Sequence, residues 1–213
     1  MDRKWLYKEY KLLHDMKQRL ADDMKTVAPY PEVVGDRRLV RFLRGHNHNV
    51  EKATKMYRDF LSWRRENAID EVRNDIVYGR KNDPTLFPKG ELIMRLVPQI
   101  VLTPMSTDLT GQPIVYEADG YSPREVLESI TIEDYTIFLI YVLEYRAIIL
   151  EQLSEEADKL YEAQNPDPAN RAEGYGALIK LCMIRDLKGL GLEHLGSQFK
   201  NIVMKFLTIA VRK

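Results

Sequence analysis

Apolar positions recur at three- and four-residue spacing through the first third of the chain. Trp5, Leu6, Tyr10, Leu13, Met16 and Leu20 predict a helix over residues 3–28, ended by the Pro29-Tyr30-Pro31 break. Asp36 is placed to cap a short helix through Arg44, with Leu39, Val40, Phe42 and Leu43 as its apolar content and Gly45 as its stop. Asn49 caps a third helix, and Glu51 suits its positive end. Ala53, Met56, Tyr57, Phe60, Leu61 and Arg64 form one stripe along it, with the Arg64 stem covering the edge. Residues 1–75 read as a helical unit.

The texture changes after that point. Asn82-Asp83-Pro84 and Phe87-Pro88-Lys89-Gly90 are turn signals. Leu92–Leu102 is rich in Ile, Val and Leu but broken by Pro98, and its periodicity fits neither helix nor strand cleanly. Thr110-Gly111-Gln112-Pro113 leads into a short strand, Ile114-Val115-Tyr116. Ser122-Pro123-Arg124-Glu125 is a capping box with proline at the first helical position, and Thr131 with Asp134 opens a further helix to about Tyr161. That helix is apolar nearly all round from Ile137 to Leu143, which predicts burial. Residues 165–176 read as a loop, 180–187 as a second strand and 192 onward as a final helix. Strand and helix alternate, the pattern of an α/β lobe with parallel pairing through crossovers.

Charge narrows the function. The 213 residues carry 32 Lys and Arg against 32 Asp and Glu. That balance argues against a nucleic-acid partner, because such affinity comes mainly from neutralising phosphates. Cys182 is the single cysteine, so neither a disulfide framework nor a thiolate zinc site can form within one chain. The N-terminus is too charged for a signal peptide, and no run reaches the roughly 20 apolar residues of a membrane span. These features fit a cytoplasmic protein.

Catalytic chemistry finds little support. Asp186-Leu187-Lys188-Gly189-Leu190-Gly191 has two glycines of a dinucleotide fingerprint, but the third falls on His194. The bland reading is a strand-to-helix turn that glycine relaxes and Asp186 with Lys188 satisfies. A Cys182–His194 dyad is conceivable, but a cysteine inside an apolar strand is usually inert. His46 and His48 lack clustered third and fourth donors for a metal, and read as a solvated turn. Arg37, Arg38, Arg41 and Arg44 put four cations on one short helix. They are either a solvated face or a contact for anionic lipid headgroups. No enzyme activity, metal or cofactor is expected. The apolar segments of the second part are either a filled core or a core shared with a hydrophobic guest.

Gly35–Asp70 resembles the N-terminal helical segment of CRAL-TRIO lipid-binding proteins, whose pattern is D-x-x-L-x-R-F-L-R-A, D-V-x-K-A, W-R and I-D. Asp36, Leu39, Arg41, Phe42, Leu43, Arg44, Val50, Lys52, Ala53, Trp63, Arg64, Ile69 and Asp70 match it. Gly111–Glu117 is similar to the family's G-R-P-V strand, and Ile184–Leu190 to its D-x-K-G-x turn. The resemblance implies a helical N-terminal lobe, residues 1–75, packed on an α/β lobe, residues 76–213. A mostly parallel sheet would floor an apolar cavity closed by a mobile gate. It implies binding of one lipid, exchanged at a transient membrane surface by a peripherally associated protein. Burying an acyl chain contributes about 0.8 kcal/mol per CH₂, so such a cavity needs few polar contacts. The turn at Asp186 would then be a structural junction beside the pocket.

Three departures qualify the resemblance. Positions where phosphatidylcholine-binding members carry hydroxyl side chains hold Val115, Leu181 and Met183. These residues would face the cavity and select a less polar headgroup or a sterol-like or isoprenoid molecule. Members that bind phosphatidylinositol often have R-x-R-K where this chain has Arg44-Gly45-His46-Asn47, making Arg44 and His46 the headgroup candidates. The chain ends at Lys213, ahead of the family's Y-P-E motif and gate helix, so a partial lobe with exposed apolar surface is expected. A lipid-independent adaptor module, or a non-functional truncated fragment, is the alternative.

Overall fold

The computed structural model describes residues 7–167, 177–196, 200 and 204. They form a mixed α/β protein that is mainly helical. Contacts divide it into two units: residues 1–67 with 147–179, and residues 68–146 with 180–213.

The first unit begins with α1 (Tyr7–Arg19) and α2 (Ala21–Met24), so the long N-terminal helix of the sequence reading is interrupted at Leu20. Next come α3 (Pro31–Val34), α4 (Asp36–Gly45) and α5 (Val50–Glu66). Gly35 holds the N-cap position of α4, with Asp36 inside its first turn. Asn49 caps α5 as expected, its side chain accepting from the Lys52 N–H at 2.9 Å. Leu13, Met16 and Leu20, with Leu39, Val40 and Leu43 of α4 and Ala53, Tyr57, Phe60 and Leu61 of α5, form one buried core. Phe42 and Tyr57 meet edge to face with centroids 5.2 Å apart, and the Tyr57 hydroxyl donates to Val33 O at 3.0 Å.

The second unit contains α6 (Ile69–Tyr78), α7 (Gly90–Leu96), α8 (Pro123–Ser129) and three strands. Helix α9 (Ile132–Gln164) contributes its first half here and its remainder to the first unit. It opens with a reciprocal box: Asp134 N–H donates to Thr131 Oγ1 at 3.0 Å, and Thr131 N–H to Asp134 Oδ2 at 3.3 Å. Ser122 Oγ caps α8 through the Glu125 N–H. Phe138, Leu139, Tyr141 and Val142 are buried as their pattern predicts, whereas Ile137 is exposed. Phe87 lies among Phe138, Tyr141 and Tyr145 at centroid distances of 5.4–6.1 Å. Tyr141 OH and Lys81 Nζ both donate to the Asp75 carboxylate.

The sheet corrects one expectation. Its order is β1 (Gln99–Thr107), β2 (Pro113–Ala118), β3 (Cys182–Asp186). β2 and β3 are parallel, but β1 and β2 are antiparallel, so the described sheet is mixed rather than mostly parallel. The ambiguous stretch around Pro98 is the reason. It splits into α7 and β1, and only five residues link β1 to β2, a hairpin-length connection that permits no parallel crossover. The loop over 168–176 and most of the final helix lie outside the described residues. Within them, residue 192 onward begins as a single 3₁₀ turn, Leu192–Leu195.

Candidate functional site

The parallel pairing sets Val115 beside Met183 and Glu117 beside Arg185. Alternation along a strand puts these four on one face of the sheet, and Leu181, just ahead of β3, has the same parity. Val115 is fully buried, Leu181 half-buried and Met183 45% exposed. This rung of the face is apolar and offers no hydroxyl donor.

The next rung is ionic, and the sequence reading did not single it out. Arg146 of α9 is buried; its Nε donates to Val101 O at 2.8 Å and its Nη2 to Glu117 Oε1 at 3.4 Å. Burial holds the Arg146 guanidinium below the usual arginine range. Arg185 grips Asp119 with two nitrogens, at 2.9 and 3.0 Å, and lies 3.8 Å from Glu117. Beside this network burial pushes the Tyr121 hydroxyl up to about 12 and raises that of Tyr135 as well. An apolar rung beside an ionic one has the polarity profile of an amphiphile. Glu117 and Arg185 lie within recognisable motifs, but only strand register brings them together.

On the opposite face the Tyr116 hydroxyl donates to Asp186 Oδ2 at 2.9 Å, while Asp186 Oδ1 accepts from the Lys188 N–H at 2.9 Å. These bonds hold the Asp186 carboxyl below its ordinary range, the Lys188 N–H first. Gly189 adopts φ +90° where its backbone passes Gly120. His194 Nδ1 accepts from the Gly191 N–H at 3.0 Å, leaving Nε2 to donate to Tyr121 O at 2.8 Å. Both ring nitrogens are taken by backbone groups, so His194 is not placed as a base for Cys182. Asp186 through Gly191 is a bonded turn, as its glycines suggested.

Arg44 and His46 belong to the other unit. Arg44 Nε and Nη2 donate to the two oxygens of Glu9 at 2.8 and 2.9 Å, and His48 Nε2 meets the same carboxylate at 2.7 Å. His46 is the half-buried C-cap of α4. His48 is therefore not a solvated turn residue. The α4 arginines also form intramolecular contacts. Arg37 bonds Glu151, Asp158 and Ala177 O, and Arg41 bonds Ile179 O. The Arg38 guanidinium lies 4.4 Å from the Phe60 ring centre.

Among the described residues no group of three or more His, Cys, Asp and Glu is arranged to hold a metal ion, and no helix is long and apolar enough to cross a membrane.

No family model matches the chain. Curated relatives do. The chain is 25% identical over 173 residues to the Sec14 cytosolic factor of Schizosaccharomyces pombe, covering 81% of this chain and 51% of that protein. It is 27% identical over 167 residues to the SEC14 cytosolic factor of Candida glabrata, 78% of this chain and 46% of the relative. It is 24% identical over 166 residues to the phosphatidylinositol/phosphatidylcholine transfer protein SFH13 of Arabidopsis thaliana, 78% of this chain and 22% of the relative. The chain spans about half the length of the Sec14 factors it matches. This similarity along most of the chain, with its ordered motifs, supports a CRAL-TRIO family relationship with Sec14-like proteins.

Proposed function

We propose that the chain binds a lipid through the apolar rung at Val115, Leu181 and Met183, and serves phospholipid binding and transfer at a membrane surface. The observation that carries this reading is the similarity to proteins named as phosphatidylinositol/phosphatidylcholine transfer proteins. The register pairing of Val115 with Met183 supports it at the residue level, because two adjacent strands present apolar side chains to one side. In this reading residues 1–75 are the helical segment and 76–213 the lipid-binding part. The protein works in the cytoplasm, associates peripherally with membranes, and performs no catalysis. Without hydroxyl groups at the three positions it favours a lipid of low headgroup polarity.

Extraction of the purified chain with organic solvent, followed by mass spectrometry, should recover a lipid in stoichiometric amount. Leu181→Ser with Met183→Thr should shift the bound population toward phosphatidylcholine; an unchanged lipid profile would defeat the assignment of these residues. A second reading is a protein-interaction module that works without lipid. The exposed Leu187, Leu190 and Leu192 favour it. A stable protein complex from a lipid-free preparation would select it.

A further inference from the structure

The ionic rung of the sheet in the second unit is charge-balanced. Arg146 and Arg185 bring two positive charges to it, and Glu117 and Asp119 two negative ones. Glu117 is shared: Arg146 Nη2 lies 3.4 Å from its Oε1, and Arg185 Nε 3.8 Å from its Oε2. Asp119 completes the set, 2.9 Å from Arg185 Nε. Beyond burial, the electrostatic influences on Arg146, Arg185, Tyr121 and Tyr135 come from one another and from these two carboxylates. Side-chain exposure falls across the set, from 58% at Arg185 to 20% at Glu117 and 6% at Arg146. The rung therefore opens to solvent at Arg185 and closes into the interior at Arg146, where charges are poorly screened. Two positions back along each strand, Val115 and Met183 stand on the same face, about 7 Å away at the rise of a strand.

We propose, resting on the lipid-binding reading above, that Glu117 is a specificity-determining residue. By neutralising Arg146 and Arg185 together it sets this face to accept lipids whose headgroup carries no net charge and to reject anionic ones. An acyl chain against Val115 and Met183 would place its headgroup at the level of Glu117 and Arg185. An anionic headgroup there would give the set a net negative charge and face Glu117 and Asp119, a like-charge contact that is costly where water is scarce. Both guanidiniums are already engaged by carboxylates, so an anionic group gains a cation only by displacing one of them. A zwitterionic or uncharged headgroup leaves the balance intact. Discrimination here works by rejection, which needs no added attractive contact.

Vesicles holding phosphatidylcholine and phosphatidylinositol in equal parts test it: the whole chain is incubated with them and recovered, and its bound lipid is counted by mass spectrometry. Both lipids sit in one vesicle, so docking to the membrane weights them equally. The unaltered chain should hold phosphatidylcholine over phosphatidylinositol by about tenfold. Glu117→Gln gives the set a net positive charge and should shift the ratio toward phosphatidylinositol by about tenfold. Asp119→Asn should shift it the same way by about threefold, because its partner Arg185 is exposed to solvent and screened. Arg185→Gln should shift it the opposite way, a reversal that a merely structural role would not produce. If Glu117→Gln does not fold, Asp119→Asn and Arg185→Gln decide by their opposite signs. The selector is refuted, with lipid binding intact, if the unaltered chain prefers phosphatidylinositol or if the acidic and basic substitutions move the ratio alike. Uptake of neither phospholipid also refutes it, and the lipid-binding reading falls with it if solvent extraction recovers no lipid of any kind.

Discussion

Glu9 shows what a single side chain does in this molecule. It is fully buried, yet its carboxylate accepts from both Arg44 and His48. His48 reaches it through two successive left-handed residues, Asn47 at φ 52° and His48 at φ 63°, each costing about 1 kcal/mol for a residue with a Cβ. The charge-assisted bonds offset that strain. Glu9→Leu should therefore lower stability by about 2–3 kcal/mol in urea denaturation, more than either His48→Gln or Arg44→Lys, because it removes the carboxylate that both side chains bond. At this scale the sequence was legible where the partner is close. Asn49, Ser122 and Thr131 announce their caps because a cap is satisfied within three residues. The arginines of α4 were not legible: Arg37 finds its carbonyl 140 positions away and Arg41 138 away, and no local pattern encodes such a destination.

At the scale of elements, the turn after β3 is fixed by close backbone approach. A Cβ on Gly120 would sit 1.7 Å from Lys188 O, whereas one on Gly191 meets nothing within 4 Å. Gly120→Ala should cost about 3 kcal/mol by overpacking against backbone, and Gly191→Ala less than about 1 kcal/mol. Paired urea midpoints measure the contrast, and equal midpoints would remove Gly120 from the design of the turn. The glycines of the Asp186 turn were visible in the sequence, but the partner at Gly120 was not, since it lies on the far side of helices α8 and α9 in the chain. The antiparallel β1 was hidden for a different reason. Its residues alternate poorly around Pro98, and the register shifts twice along the β1–β2 pairing, so no period of two stands out.

At the scale of the whole molecule, β3 is the edge of the described sheet, and Met183, Ile184 and Leu187 are exposed at 45%, 46% and 58%. An apolar edge strand recruits other strands. The chain should bind an apolar dye and self-associate with rising concentration, and Ile184→Lys should reduce both, as read by dye fluorescence and light scattering. Helices and motifs gave the broad α/β organisation from sequence; the mixed sheet and the ionic rung needed register, which the sequence does not carry.

The two edges of β2 differ in how far the chain must travel to supply them. β1 arrives across five residues, whereas Cys182 pairs with Ile114 across 68 positions (182 − 114). Closing the longer loop costs more entropy before any pairing energy is returned, and contacts of high sequence separation form slowly. A hairpin closes within about 1–10 μs. The β1–β2 hairpin should therefore form early in this unit and β3 dock later, an order that φ-values at Val101 and Ile184 would check. Val115 and Met183 become neighbours only when β3 docks, so the apolar rung should form after the hairpin. A ribosome must have released the chain well past Met183 before that rung can exist.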